Sequence, residues 1–139
     1  MNKFFVLTLI LTVLSSTAWA DVLPLQTQQL NDSAEGELVL NDHQGMSLYV
    51  YTPDKADQSN CKGGCIKAWP AVVLAGAEIE KIKGSKNLAV ITRDDGSQQL
   101  TLDHKPLYYY VGDSQPGDHN GQGLGGVWFL LQAQFALKN

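Results

Sequence analysis

Cys61 and Cys65 are the two cysteines of the chain, separated by Lys62-Gly63-Gly64. Two thiols at that spacing have two chemistries open to them. In an oxidising compartment they join as a disulfide. As thiolates they are soft ligands that select Cu(I), and His43, His104 or Met46 could complete the coordination. The spacing is not Cys-x-x-Cys, and the βαβ units of exported thioredoxin-fold copper chaperones have no counterpart in the pattern here. The compartment therefore favours a structural disulfide. Its loop is tiny, so closure entropy is worth only about 2 kcal/mol, and its use is to hold the segment before Trp69.

The other titratable residues give weaker chemistry. His43, His104 and His119 each follow an aspartate in a turn or a glycine-rich stretch. A metal centre needs three or four converging ligands, whereas turn histidines are ordinarily solvated. The metal candidates are thus His43, His104, Met46, Cys61 and Cys65, with copper as the alternative to having no cofactor. No Gly-x-Ser-x-Gly elbow is present. Gly121-x-Gly123 opens no helix that would cradle a phosphate. No catalytic residue is assigned.

The most informative residues are duplicated. Leu48-Tyr49-Val50-Tyr51-Thr52-Pro53-Asp54 recurs as Leu107-Tyr108-Tyr109-Tyr110-Val111-Gly112-Asp113, and the same offset of 59 carries Trp69 onto Trp128. Asp42-His43 and Asp103-His104 precede the two copies. On a strand the two tyrosines of a copy share one face. They could present an aromatic surface to a carbohydrate. The favoured alternative is that they pack against Trp69 and Trp128 as core, since buried aromatics dominate core energetics. Asp54 and Asp113 fall at strand ends, where a carboxylate supports a turn or accepts a buried tyrosine hydroxyl. Symmetry could also bring the two aspartates together as an acid/base pair, although no Asp-Thr/Ser-Gly motif accompanies them.

The elements that must position these residues read as β-hairpins. In the first copy, 37–40 and 46–51 are strands around Asn41-Asp42-His43-Gln44-Gly45. In the second, 98–102 and 107–111 flank Asp103-His104-Lys105-Pro106. Residues 88–93 form a further strand before an Asp94-Asp95-Gly96 turn, and 127–131 suits a buried strand. Helical signal is thin: one short turn at 65–69, stopped by Pro70. Residues 78–84 read as a charged connector, and 112–126 as a long loop. The fold class is all-β, with two tandem antiparallel hairpin or meander repeats packed as one compact domain and little helix. Residues 37–75 and 88–137 hold the repeats, 76–87 the connector and 21–36 an N-terminal segment.

Residues 1–20 read as a secretory signal: Lys3, an apolar run over 4–14, and Ala18-Trp19-Ala20 as a cleavage site. The run is shorter than the roughly 20 apolar residues of a membrane span, and no cysteine for lipid attachment follows it. Cleavage near Ala20 leaves an exported, periplasmic or secreted, protein. Of 139 residues 44% are hydrophobic, which excludes wholesale disorder. The net charge of −4 is the wrong sign for a nucleic-acid binder.

Tyr49-x-Tyr51-x-x-Asp54 and Tyr108-x-Tyr110-x-x-Asp113 resemble the bacterial secreted-repeat family of predicted lipoproteins with a Tyr-x-(Phe/Trp/Tyr)-x-x-Asp motif. Cys61-x-Gly63-x-Cys65 before Trp69-Pro70, Arg93-x-Asp95-Gly96-x-x-Gln99, and Asp113-x-x-Pro116-Gly117-Asp118 extend the likeness over roughly residues 37–131. The family has no established activity, and at His43 and His104 its members often carry glycine. The resulting expectation is a non-catalytic binding or interaction module for an unknown protein or small-molecule partner. A copper or thiol-redox protein built on Cys61 and Cys65, and an aromatic carbohydrate-binding face, are its alternatives.

Overall fold

The computed structural model describes residues 25–29 and 38–133. The expected signal segment and cleavage site, most of 21–36 and the last residues of the expected second repeat lie outside these. Strands β1 (Leu25–Gln29), β2 (Leu38–Asp42) and β3 (Tyr49–Tyr51) are followed by two short helices, α1 (Gly64–Ala68) and α2 (Gly76–Ile82). Then come β4 (Leu88–Thr92), β5 (Gln98–Leu102), β6 (Lys105–Pro106) and β7 (Trp128–Leu130). All the ladders are antiparallel: β1 with β2, β3 with β7, β4 with β5, and β5 with β6. The architecture is all-β with little helix.

The duplication in the sequence is a duplication in space. β1–β2 corresponds to β4–β5. Each pair leads through a turn to a tyrosine-bearing segment, and these two segments meet. Tyr49 N–H donates to Tyr108 O at 2.9 Å, and Tyr108 N–H to Tyr49 O at 3.0 Å. Equivalent residues exchanging both bonds place a pseudo-twofold axis between them. Beyond the axis the tails cross over. β7, from the second copy, pairs with β3 of the first, with Tyr49 opposite Leu130. Ala71, from the first copy, bridges Tyr108 of the second. Further out, Gln132 bridges Val39 and Val73 bridges Gln99. Each copy thus completes the other's sheet.

Alternation along the tyrosine segments sends side chains to two faces, and both faces are buried. One side holds an aliphatic cluster that includes Leu40, Leu48, Val72, Leu100, Leu107 and Leu131. The other holds Tyr49, Trp69, Tyr108, Trp128, Cys61 and Leu130.

Several elements differ from the sequence expectation: β1 lies in the N-terminal segment, β6 takes Lys105 and Pro106 out of the expected turn, and a 3-10 turn at Leu124–Gly126 interrupts the expected loop. The strand expected over 46–51 is regular only from Tyr49 to Tyr51, because the chain leaves β2 after the Ser47 bridge to Asn41 and turns to β7. The strand expected over 107–111 is reduced to bridges at Tyr108, which lies between Tyr49 and Ala71. The connector carries helix α2. Its N-terminus is closed by the Glu78 carboxylate, which accepts the Ala75 N–H at 2.7 Å. Ile79 and Ile82, one turn apart, pack on the aliphatic cluster.

Candidate functional site

The eight motif residues gather on the aromatic side of the axis. Trp69 and Trp128 stack almost parallel, with ring centroids 3.9 Å apart and an interplanar angle of 4°. Tyr51 stacks on the outer face of Trp128 at 4.3 Å, and Tyr110 on Trp69 at 4.4 Å. The order Tyr51–Trp128–Trp69–Tyr110 is a four-ring pile whose members alternate between the copies. Tyr49 meets Trp69 edge-on at 5.3 Å, and Tyr108 meets Trp128 edge-on at 5.1 Å. Tyr49 and Tyr108 are fully buried, while Tyr51 and Tyr110 are half-buried. The four tyrosines therefore line the core and do not form an open aromatic platform.

The aspartates are exchanged as well. Tyr49 Oη donates to Asp113 Oδ2 at 2.7 Å, and Tyr108 Oη donates to Asp54 Oδ2 at 2.7 Å. Each tyrosine thus bonds the aspartate of the other copy. The second carboxylate oxygen closes a loop within its own copy. Asp54 Oδ1 accepts the Asn60 N–H at 2.6 Å and Asp113 Oδ1 the Asn120 N–H at 2.8 Å. Each asparagine also donates its side-chain amide to the carbonyl just before its aspartate, Pro53 or Gly112. With both oxygens occupied in this way, the two carboxylates do not face one another as an acid/base pair.

Burial sets the protonation of this network. Desolvation, and then the hydrogen bond from the phenol to its carboxylate, push the Tyr49 hydroxyl well above the ordinary phenol range. Tyr108 is raised mainly by desolvation, with Asp54 adding to it. Both hydroxyls remain proton donors. Desolvation raises the Asp54 carboxyl too, opposed by the Asn60 N–H, the Tyr108 hydroxyl and the charge of Arg93. Tyr109 is raised by burial and by Asp42, whose Oδ2 accepts its hydroxyl proton at 2.9 Å.

Around the two couples the copies diverge. On the Asp54 side, Ser59 Oγ lies 2.6 Å from Tyr108 Oη, and Arg93 ties the cluster together. Its guanidinium donates to Ser59 Oγ at 2.8 Å, Gln99 Oε1 at 2.7 Å and Cys61 O at 2.9 Å. On the Asp113 side the backbone takes over: the Gly121 N–H donates to Tyr49 Oη at 3.1 Å. A Cβ on Gly121 would lie 2.7 Å from Trp69 and 2.9 Å from Tyr49, so only glycine fits between those rings.

The metal candidates do not assemble. Cys61 and Cys65 form a disulfide across the first turn of α1, with Cα atoms 5.2 Å apart. His43 is exposed in the first hairpin turn and Met46 is half-buried. His104 is exposed, with Nδ1 2.7 Å from Asp57 Oδ2. Among the described residues no three His, Cys, Asp or Glu side chains are grouped to hold a metal ion.

One cleft opens beside this core. It encloses about 400 Å³ and lies between residues 50–56 and the hairpin turn at 103–106. Val50, Tyr51 and Pro106 contribute its apolar lining, with Lys55, Asp103, His104 and Lys105 also bordering it. It is made from both copies, which is why no single stretch of sequence announces it. Sequence reasoning also passed over Asn60 and Asn120. Their offset is 60 where the motif's is 59, and a search allowing one inserted residue would pair them. Arg93 and Gln99 stood in a motif without a role until their contact was visible.

A family model described as a secreted repeat of unknown function matches twice, over residues 32–73 and 89–132. No curated protein and no solved structure matches the chain. Among the described residues no helix is long and apolar enough to cross a membrane.

Proposed function

The chain belongs to this family of secreted repeats, and from that premise we propose that it is an exported, non-catalytic recognition module, released by signal cleavage near Ala20. The interlocked repeats serve as a rigid frame, and the loops at the ends of the frame make the contacts. The observation that carries this reading is the mutual saturation of the motif. Each tyrosine hydroxyl is donated to a carboxylate of the other copy, and each carboxylate's second oxygen is closed by an asparagine N–H. Groups so committed hold the fold and leave recognition to the surface. The cleft beside Tyr51 is a concave part of that surface made by both copies, and it falls within the size range of small-ligand sites.

The test pairs binding with turnover. The exported protein is titrated with panels of small acids, sugars and peptides while chemical shifts are followed. The same samples are assayed for ester, peptide and glycoside hydrolysis. The expected outcome is saturable binding at the cleft without turnover. Hydrolysis that disappears in Asp54→Asn or Asp113→Asn, in protein that remains folded, would overturn the reading.

A further inference from the structure

We propose that the cleft beside Tyr51 binds a small planar aromatic acid, a proposal that rests on the recognition-module reading and names its ligand class. The first argument is the ring pile. Tyr51 is its terminal member, with one face stacked on Trp128 at 4.3 Å, and the residue also lines the cleft. A planar ring entering there continues an existing stack against a tyrosine already held in place by its neighbour. Offset stacking of this kind is favourable beyond simple area burial. Val50 and Pro106 supply apolar walls, and about 400 Å³ suits a molecule of one or two rings.

The second argument is charge. Lys55 brings an exposed ammonium group to the cleft, and Lys105 borders it as well. Of the carboxylates nearby, Asp54 accepts the Tyr108 hydroxyl and the Asn60 N–H. Asp57 is paired with His104. Asp103 borders the cleft, where its carboxylate can accept a hydroxyl or amine proton from the ligand. An anionic group at one end of a ring and a donor at the other match this arrangement.

The third argument is the contrast with the opposite end of the pile. There the backbone packs against Tyr110: a Cβ on Gly112 would lie 2.3 Å from Tyr110 Cε1. The counterpart of Gly112 beside Tyr51 is Pro53, and residues 50–52 and 54–56 on either side of it border the cleft. The pseudo-twofold axis therefore does not predict a second equivalent site.

The test is a titration of the exported protein with 4-hydroxybenzoate, followed by backbone amide shifts. Cyclohexanecarboxylate serves as a control of equal charge without a planar ring. Expected are saturable shifts at Val50, Tyr51, His104 and Lys105, with at least tenfold weaker binding of the cyclohexane acid. Tyr51→Leu is expected to weaken binding at least tenfold, and the Lys55→Gln/Lys105→Gln pair to weaken it severalfold. Tyr110→Leu is expected to leave it within twofold of wild type. The lysine pair is exposed and keeps the test decisive if Tyr51→Leu unfolds. No response of the cleft amides at millimolar 4-hydroxybenzoate overturns the proposal, as does equal binding of the two acids. If a sugar or peptide moves the same amides instead, the aromatic-acid assignment falls while the recognition module stands. Hydrolytic turnover at the cleft would remove both.

Discussion

From Asp54 to Trp69 and from Asp113 to Trp128 the chain covers the same interval of 15 residues, by different means. The first passage is held by the Cys61–Cys65 disulfide, the helical turn α1 and the Arg93 guanidinium. The second has no cysteine and five glycines, four of which, Gly117, Gly123, Gly125 and Gly126, adopt left-handed φ. Both deliver an asparagine N–H to the aspartate and an indole to the axis. The repeat thus constrains the two ends of each passage, and the path between is open to any solution of the right length. A covalent lock in one copy and backbone freedom in the other are interchangeable answers to one geometric demand.

The largest expected effect tests the shared end point. Trp69→Ala and Trp128→Ala should each cost about 3–5 kcal/mol, the usual range for emptying a buried indole site. Because the two indoles stack on one another, the costs should be close, and the double variant should lose less than their sum. Urea denaturation of the four proteins measures this. Strict additivity would mean that the copies are energetically separate.

Next come the two paths. Gly121→Ala should destabilise by about 1–3 kcal/mol, since the new methyl meets the Trp69 and Tyr49 rings, which have no room to retreat. Removing the disulfide with Cys61→Ser and Cys65→Ser should cost about 2 kcal/mol by loop-closure entropy. Reduction with dithiothreitol should reproduce that loss in wild type and have no effect on the double-serine protein. A negligible cost for the serine pair would show that α1 and Arg93 hold the first passage unaided.

A smaller effect, with a definite sign, concerns the Asp54 carboxylate. Burial raises the Asp54 carboxyl above its ordinary 3.8. Between the unfolded and folded values, the native state binds more protons at this site, so its contribution to stability falls as pH rises through that window. The difference in urea stability between wild type and Asp54→Asn should therefore shrink from pH 3 to pH 6. The carboxylates Asp94, Asp95 and Asp118 are lowered by their hydrogen bonds and run the opposite way. Only the difference between the two proteins isolates Asp54, and a difference that grows with pH would contradict the burial argument.

The duplication, the hairpins and the disulfide were legible because they are local: strict spacing, turn residues, and two cysteines in an exported chain. The exchange between copies was not. Period-2 alternation assigns Tyr49 and Tyr51 to one face, but it does not say which strand lies alongside or whether the other face is also covered. Here both faces are buried, and the partner of each tyrosine sits across the axis. The helix α2 escaped notice because seven residues are too few for a helical period to stand out. The cleft escaped because its walls come from segments some fifty residues apart.

The smallest expected effect concerns the two hairpin turns. In the second copy Asp103 and His104 form a two-residue turn with φ of 46° and 66°, the twist that suits an antiparallel pair but favours glycine. In the first copy the longer turn places Gly45 at φ 85°, and His43 has no positive φ. A side chain in the left-handed region costs roughly 1–2 kcal/mol, partly offset against glycine by the greater freedom glycine has in the unfolded chain. His104→Gly loses the exposed contact with Asp57 Oδ2, which contributes little in solvent. It keeps the Asp57 N–H bond to the residue's own carbonyl at 2.8 Å. The variant should gain up to about 1 kcal/mol in urea, whereas His43→Gly, with no strain to relieve, should be neutral or lose about 0.5 kcal/mol. If His104→Gly loses stability instead, the imidazole contact with Asp57 governs the second turn, and the two turns differ in what holds them as well as in length.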